Sequence, residues 1–383
     1  MRKIFLSVLV IISVTGCMPN VPSEQAPVLG LTATEWVSRV TVGWNLGNTL
    51  DAHNFFAWLG ENPTVSQMET AWGNPVTTKE NITTLRNAGF NAIRIPVSWA
   101  KAADENYTIR PDWIERVAEV VDYAVANDMY IILNTHHDES VFRFKDEERE
   151  QTEVAFRRIW EQIAERFKNY DHRLVFQAFN EPRTIGSPDE WRGGTPEEHA
   201  NLNALYQLFV EIIRASGGNN ADRILMINTY ASSGTARAID ALEIPEDTVS
   251  DRIIVSVHVY APYNFALNVY SPVNTWDRNN PADTLPITNP IDHVYNRFIS
   301  QGIPVVIGEF GVMCKDNIEA RVEWTKFYVG YAKSKGIPCF WWDNGIFVEH
   351  GERFGLLDRR TNSFAFPEIV EALMIGASNT TDN

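Results

Sequence analysis

The chain has 383 residues, 44% of them hydrophobic and 11% aromatic, with a formal net charge of −16. This composition excludes a mainly disordered chain, and the acidic balance excludes a non-specific nucleic-acid binder, whose surface must be basic. Three cysteines in this length exclude a disulfide-built scaffold, and the length itself accommodates two domains or one large α/β barrel.

The chain opens with an address. Arg2 and Lys3 precede an apolar run, residues 4–14, that is too short to span a bilayer, and Val14-Thr15-Gly16-Cys17 follows it. A small residue before a cysteine in that setting resembles the bacterial lipoprotein cleavage box. Residues 1–16 are therefore expected to be a signal peptide, Cys17 the lipidated first residue of the mature chain, and residues 17–27 a tether. The protein is then expected to be an exported lipoprotein held at a membrane, at the cell surface or outer membrane. Residues 28–376 show no linker, low-complexity tract or composition shift and read as one domain, followed by a short tail, residues 377–383. Cys314 and Cys339 read as small core or loop residues, with a bridge between them left open in an oxidising compartment.

Within the domain, β-rich runs fall at residues 42–46, 92–97, 130–134, 174–179, 224–228, 253–259, 304–308 and 338–342. Several are nearly continuous apolar runs, as strands buried on both faces should be. Helical patterns lie between them. Residues 77–88 have Thr78 as a cap and Gly89 as a stop, and residues 111–126 open on Pro111 and carry Ile114, Val117, Val121 and Val125 at helical spacing. Residues 153–167, 197–214, 291–300 and 318–333 follow the same rule. Eight strands alternating with helices predict an α/β protein, a single (β/α)8 TIM barrel. The competing open, doubly wound sheet would carry a Gly-rich phosphate loop after the first strand, and none is there.

A barrel concentrates chemistry where its strands end. Asn48 follows the first strand and Arg94 lies in the second. Asn134, His136 and His137 follow the third, Asn180 and Glu181 end the fourth, and His258 and Tyr260 end the sixth. Glu309 ends the seventh, and Trp341, Trp342 and Asp343 the eighth. Glu181 and Glu309 each directly follow an apolar strand, where a merely structural carboxylate needs an unusual partner. Strands four and seven face each other across a barrel mouth, and paired carboxylates are the equipment for acetal hydrolysis. Arg94 and Tyr260 are placed to keep one carboxylate ionised. The other must hold a proton, through burial and its charged neighbour. Asn180 is placed to hold a sugar 2-hydroxyl. The alternative for each of these residues is structural: a helix cap for either glutamate, a buried ion pair for Arg94, a backbone brace for Asn180.

Other chemistries fit less well. A metal site from His136, His137, Asp138 and His258 lacks the His-x-His after strand one and the HExxH helix, and a nucleophilic serine lacks its G-x-S-x-G elbow. Twelve tryptophans suit an aromatic-lined glycan cleft. Trp72, Trp276 and Trp342 lie in strand-end segments and are candidate platforms, whereas Trp113, Trp160 and Trp324 fall on helical patterns and read as packing.

Eight motifs now stand in order: Gly43-Trp44-Asn45-Leu46-Gly47-Asn48-Thr49-Leu50-Asp51, Trp72-Gly73-Asn74-Pro75, Ile93-Arg94-Ile95-Pro96-Val97-Ser98-Trp99, Asn134-Thr135-His136-His137-Asp138, Phe179-Asn180-Glu181-Pro182-Arg183, Val257-His258-Val259-Tyr260, Ile307-Gly308-Glu309-Phe310-Gly311 and Trp341-Trp342-Asp343-Asn344-Gly345. With them the chain, from about Leu29 to Leu373, resembles glycoside hydrolase family 5 (cellulase family A, clan A), most of all its subfamily 4 endo-β-1,4-glucanases. The resemblance implies that Glu181 is the acid/base and Glu309 the nucleophile. It also implies that Arg94, His136, Asn180, His258, Tyr260 and Trp342 surround the −1 sugar, and that Asn48, Asp51, His137 and Asp343 contact glycone sugars. It further implies a retaining endo-β-1,4-glucanase whose carboxylates lie about 5–5.5 Å apart. Such an enzyme is expected to need no cofactor or metal and to act as a monomer on β-glucan polysaccharide. Xyloglucan, mixed-linkage glucan, xylan or mannan are alternative substrates. A metal hydrolase on the same barrel and a catalytically silent surface glycan-binding protein are the alternative functions.

Overall fold

Strands that are apolar on both faces need cover on both, and this chain supplies it by closing its sheet and ringing it with helices. The computed structural model describes residues 30–348 and 351–378. The signal peptide, Cys17, the tether and all but the first two residues of the expected tail lie outside the described residues. The barrel strands are β1 (Val42–Leu46), β2 (Ala92–Ile95), β3 (Tyr130–Asn134), β4 (Leu174–Gln177), β5 (Leu225–Ser233), β6 (Ile253–His258), β7 (Val305–Phe310) and β8 (Cys339–Asp343). They form a closed barrel in sequence order, every pairing parallel, with β1 bonded to both β2 and β8. The fold is the expected (β/α)8 barrel. Its register sets Asn45 beside both Arg94 and Trp342, and His258 beside Glu309.

The outer ring includes the helices Lys79–Asn87, Pro111–Val125, Arg149–Phe167, Pro196–Ala215, Pro281–Arg297 and Ile318–Ser334. The helix expected at residues 291–300 starts ten residues earlier, at Pro281, and runs through Pro286 and Pro290. Internal prolines normally stop a helix, which hides its beginning from a reading of the sequence. The second strand ends one residue before Pro96, which has no N–H to continue the ladder. β7 runs two residues further than expected, so Glu309 lies within the strand.

A short helix absent from the sequence reading, Ala33–Arg39, closes the barrel floor. It begins in a reciprocal capping box between Thr32 and Glu35. Trp36 is fully buried in a cluster with Ala92, Ile132, Val175, Met226, Ile254 and Phe340, drawn from β2 to β6 and β8. The Trp36 indole N–H donates to the carbonyl of Arg173 and the Ala33 N–H to that of Asp251, so the helix sits where strands begin. The same end explains Gly43, since a Cβ there would lie 2.0 Å from the Phe340 ring. Cys314 and Cys339 are both buried, unbridged thiols. Among the described residues no helix is long and apolar enough to cross a membrane.

Candidate active site

The opposite end of the barrel is polar. A fully buried guanidinium needs hydrogen-bond partners, and each nitrogen of Arg94 finds at least one, on β1, β7 and β4 or just after it. Its Nε donates to Gln177 Oε1 (2.7 Å) and its Nη1 to Asn45 Oδ1 (2.9 Å) and Glu309 Oε1 (2.6 Å). Its Nη2 donates to Asn180 Oδ1 (2.7 Å). Gln177 in turn donates to Asn228, which donates to the Asn180 carbonyl and to Ser232. Asn45 Nδ2 donates to carbonyls of Gly308, Phe340 and Trp341. This layer fixes Arg94, and Arg94 fixes Glu309.

Glu309 receives a second donor, the Tyr260 hydroxyl, at 3.0 Å on Oε2. Burial, with the charges of Glu309 and Glu181, holds the Tyr260 hydroxyl well above its ordinary range, so it stays a donor. Glu181 is treated differently. Burial, foremost, lifts its carboxyl above the usual range against the pull of Arg183, His137 and Arg94, and Glu139 adds to the rise. His258 stands between the two acids, with Nδ1 2.9 Å from Glu181 Oε1 and 3.6 Å from Glu309 Oε2. Burial pushes the His258 ring down to about 3, so near neutral pH it bridges as an uncharged imidazole. One oxygen of Glu181 and one of Glu309 lie within 4.8 Å of each other. Two carboxyls at that spacing, one gripped by a guanidinium and a phenol and the other desolvated, can attack and protonate the two sides of one bond.

The wall formed after β1 and β3 and at the end of β8 carries aromatic and imidazole rings. Trp342 lies parallel to His136 at 5.7 Å, and His136 meets His137 edge-on at 4.5 Å. Trp72, half-buried, stands 5.8 Å from His137. Burial, followed by the nearby His137 and Arg94 charges, keeps His136 well below its ordinary range. Burial would lower His137 too, but its hydrogen bond to Glu139 and the charges of Glu139, Asp51 and Glu181 outweigh it and favour the protonated ring. Asn48 is half-buried in the left-handed region, with φ at 55°.

Three expected substrate contacts take other parts. Asp343 is fully buried, and its carboxylate accepts the Trp44 indole N–H and the backbone N–H groups of Gly345, Leu356 and Leu357. It braces the loop after β8. Asp51 is fully buried and accepts the N–H groups of Asn48 and Thr49, so it holds the turn that presents Asn48. Trp276, in the loop before Pro281–Arg297, is buried, packs on Phe327 and donates to the Asp283 carbonyl, so its ring is held against the surrounding helices.

Other residues entered the site unannounced. His53 lies 5.0 Å from Trp72 and 4.4 Å from His137, and burial, then His137, pushes it down to about 4. Glu139 is pulled down to about 2 against the effect of its burial, through its hydrogen bond to His137 and the charges of His137 and Arg183. Glu352 is raised by burial and by Glu181 and Glu309. Asn45 and Gln177 were legible as polar interruptions of apolar strands. Glu139, Arg183 and Glu352 sit in loops where the sequence carries no periodic signal.

Two clusters have metal-ligand spacing: Asp51 with His136 and His137, and Glu181 with His258 and Glu309. The chemistry of the donors opposes both. The first contains a ring that favours its proton and a carboxylate spent on a turn, and the second already holds the Arg94 guanidinium 2.6 Å from Glu309.

The profile of the cellulase (glycosyl hydrolase family 5) family matches residues 57–347. The chain is 43% identical over 350 residues to endoglucanase A of Clostridium longisporum, an alignment covering 91% of this chain and 66% of that protein. It thus spans just under two thirds of that relative. Among solved structures it is similar to a GH5-4 broad specificity endoglucanase from Ruminococcus champanellensis with bound cellotriose, with TM-score 0.87 and 44% identity over 91% of this chain and 100% of that one. It is also similar to XEG5A, a GH5 xyloglucan-specific endo-beta-1,4-glucanase from a metagenomic library in complex with cellotriose, with TM-score 0.83 and 42% identity over 89% and 98% of the two chains.

Proposed function

The chain belongs to glycosyl hydrolase family 5, and on that premise we propose that it is an endo-acting β-1,4-glucanase that cleaves with retention by double displacement. The observation that carries this reading is the carboxylate pair: oxygens within 4.8 Å in opposed electrostatic surroundings. That spacing suits direct attack and leaves no room for a water between acid and base. Glu309, oriented by Arg94 and Tyr260, attacks the anomeric carbon. The bond from that carbon to the leaving chain breaks, and Glu181 gives its proton to the departing oxygen. Water then attacks the same carbon and yields its proton to Glu181, and the bond to Glu309 breaks, restoring both carboxyls. Asn180 keeps its oxygen on Arg94, which leaves Nδ2 to donate to the sugar 2-hydroxyl. His136, His137, Trp72, Trp342 and Asn48 form the glycone side. The reaction as written uses no cofactor.

A reducing-sugar panel on β-1,4-glucan, xyloglucan, mixed-linkage glucan, xylan and mannan tests the reading. Turnover of the β-1,4-glucan backbone supports it, and inactivity on all five contradicts it. The likeness to a xyloglucan-specific relative makes xyloglucan the second substrate to rank.

We propose further that the protein is a monomeric lipoprotein anchored through Cys17, which would keep products of polymer cleavage near the cell. Residues 14–17 support the anchor, because a small residue precedes the cysteine directly after an apolar run. Metabolic labelling with a fatty-acid probe is expected to mark the protein and to be lost in Cys17→Ala. Equal labelling of both forms contradicts the anchor.

A further inference from the structure

Tyr260, one of the two donors to Glu309, stands at the start of a long loop. The chain leaves β6 at His258 and enters its next long helix only at Pro281. A loop of that length needs something to hold its shape, because its backbone groups otherwise turn to water.

Residues 263–274 of this loop curl until four backbone carbonyls converge on one point. The Lys315 ammonium fills that point. Its Nζ donates to the carbonyls of Asn264 (2.8 Å), Asn268 (3.1 Å), Ser271 (3.2 Å) and Val273 (3.2 Å). Three N–H donors facing four acceptors are fully used, so this cation has nothing left to offer a substrate directly. Its base is also tied down. The Lys315 N–H donates to Asn317 Oδ1 at 3.0 Å, and Asn317 Nδ2 donates to the Asn274 carbonyl at 2.8 Å. The Met313 N–H donates to the Ala266 carbonyl at 3.1 Å, and the Cys314 N–H to that of Arg353 at 2.9 Å. The loops after β6, β7 and β8 therefore meet around Lys315. Met313, just ahead of it in the chain, is buried with Trp342 and Phe354, and Tyr260 and Leu267 pack against that trio.

We propose that Lys315 is a positioning residue whose ammonium holds residues 263–274 in the shape that keeps Tyr260 and Trp342 set for the sugar before it arrives. With the ammonium in place, the loop is ordered on folding. Without it, the substrate has to order the loop on binding, and that cost is drawn from affinity. Once the sugar is bound and the loop is in place, the chemical step proceeds as before. This inference rests on the glucanase reading above.

The test is Lys315→Met, which keeps the stem and removes the ammonium. The clamp predicts that KM for cellohexaose rises roughly tenfold while kcat stays within about twofold of native. It also predicts faster chymotrypsin cleavage after Tyr270, which is 94% exposed, read from the fragment masses and slowed again by saturating cellotriose. An unchanged KM would overturn the clamp. A fall in kcat at unchanged KM would overturn it too, because that is what a smaller folded fraction gives. If Lys315→Met does not fold, Lys315→Arg is read in the same way, with a rise in KM of roughly threefold, since a planar guanidinium fits a ring of carbonyls less well. A native enzyme that leaves cellohexaose intact would remove the glucanase reading and the kinetic role with it, whereas a native rate of cleavage in Lys315→Met would remove the clamp alone.

Discussion

Glu181, just past β4, and Glu309, near the end of β7, are the same residue type at one mouth, and what separates their roles is the company each keeps. Glu309 has two donors, Arg94 at 2.6 Å and Tyr260 at 3.0 Å, while Glu181 is raised chiefly by burial. The acid must be protonated to work, so kcat/KM falls as pH rises through its pKa. Arg183 favours the ionised form, against Glu139; His137, Arg94, His258, Glu309 and Glu352 face the same carboxyl or its partner. Removing Arg183 therefore keeps Glu181 protonated to higher pH. Arg183→Gln is expected to move the alkaline limb of the kcat/KM profile upward, and a limb that stays put or moves downward contradicts this electrostatic account. At this scale the sequence showed which side chains gather but not always what they do. Polar residues at the ends of apolar strands were visible. That Asp343 and Asp51 spend their carboxylates on backbone N–H groups was not, because loop geometry decides it. Trp276 shared the composition of a platform and differs only in packing on Phe327.

The strands were the most legible elements, since each is a short apolar run with no helical period. β1 and β3 have the expected bounds, and the discrepancies elsewhere have local causes such as Pro96 after β2 and the internal prolines of Pro281–Arg297. The helix Ala33–Arg39 escaped notice because seven residues carry too little periodicity, yet it seals the barrel floor. Trp36→Ala should cost about 3–5 kcal/mol in urea unfolding, because it empties a fully enclosed site far from the catalytic mouth. A loss below about 1 kcal/mol would mean that the floor does not depend on this plug.

For the whole molecule, closure of the sheet is what converts eight separate motifs into one site. In sequence Glu181 and Glu309 are far apart. Parallel pairing around the ring brings β4 and β7 to opposite sides of one mouth, and the Arg94 layer locks them there. The order of motifs was sufficient to read this architecture, because a (β/α)8 barrel uses its strands in chain order. The spacing of the two acids, about 5–5.5 Å, followed only from the family resemblance and not from the residues themselves, because it depends on strand ends and a buried hydrogen-bond network. That spacing sets the stereochemical outcome, so proton NMR of the first products released from cellohexaose tests the account most directly. Fresh reducing ends that appear as the β-anomer and only later mutarotate are the predicted result. Fresh ends that appear as the α-anomer would contradict the double displacement through Glu309.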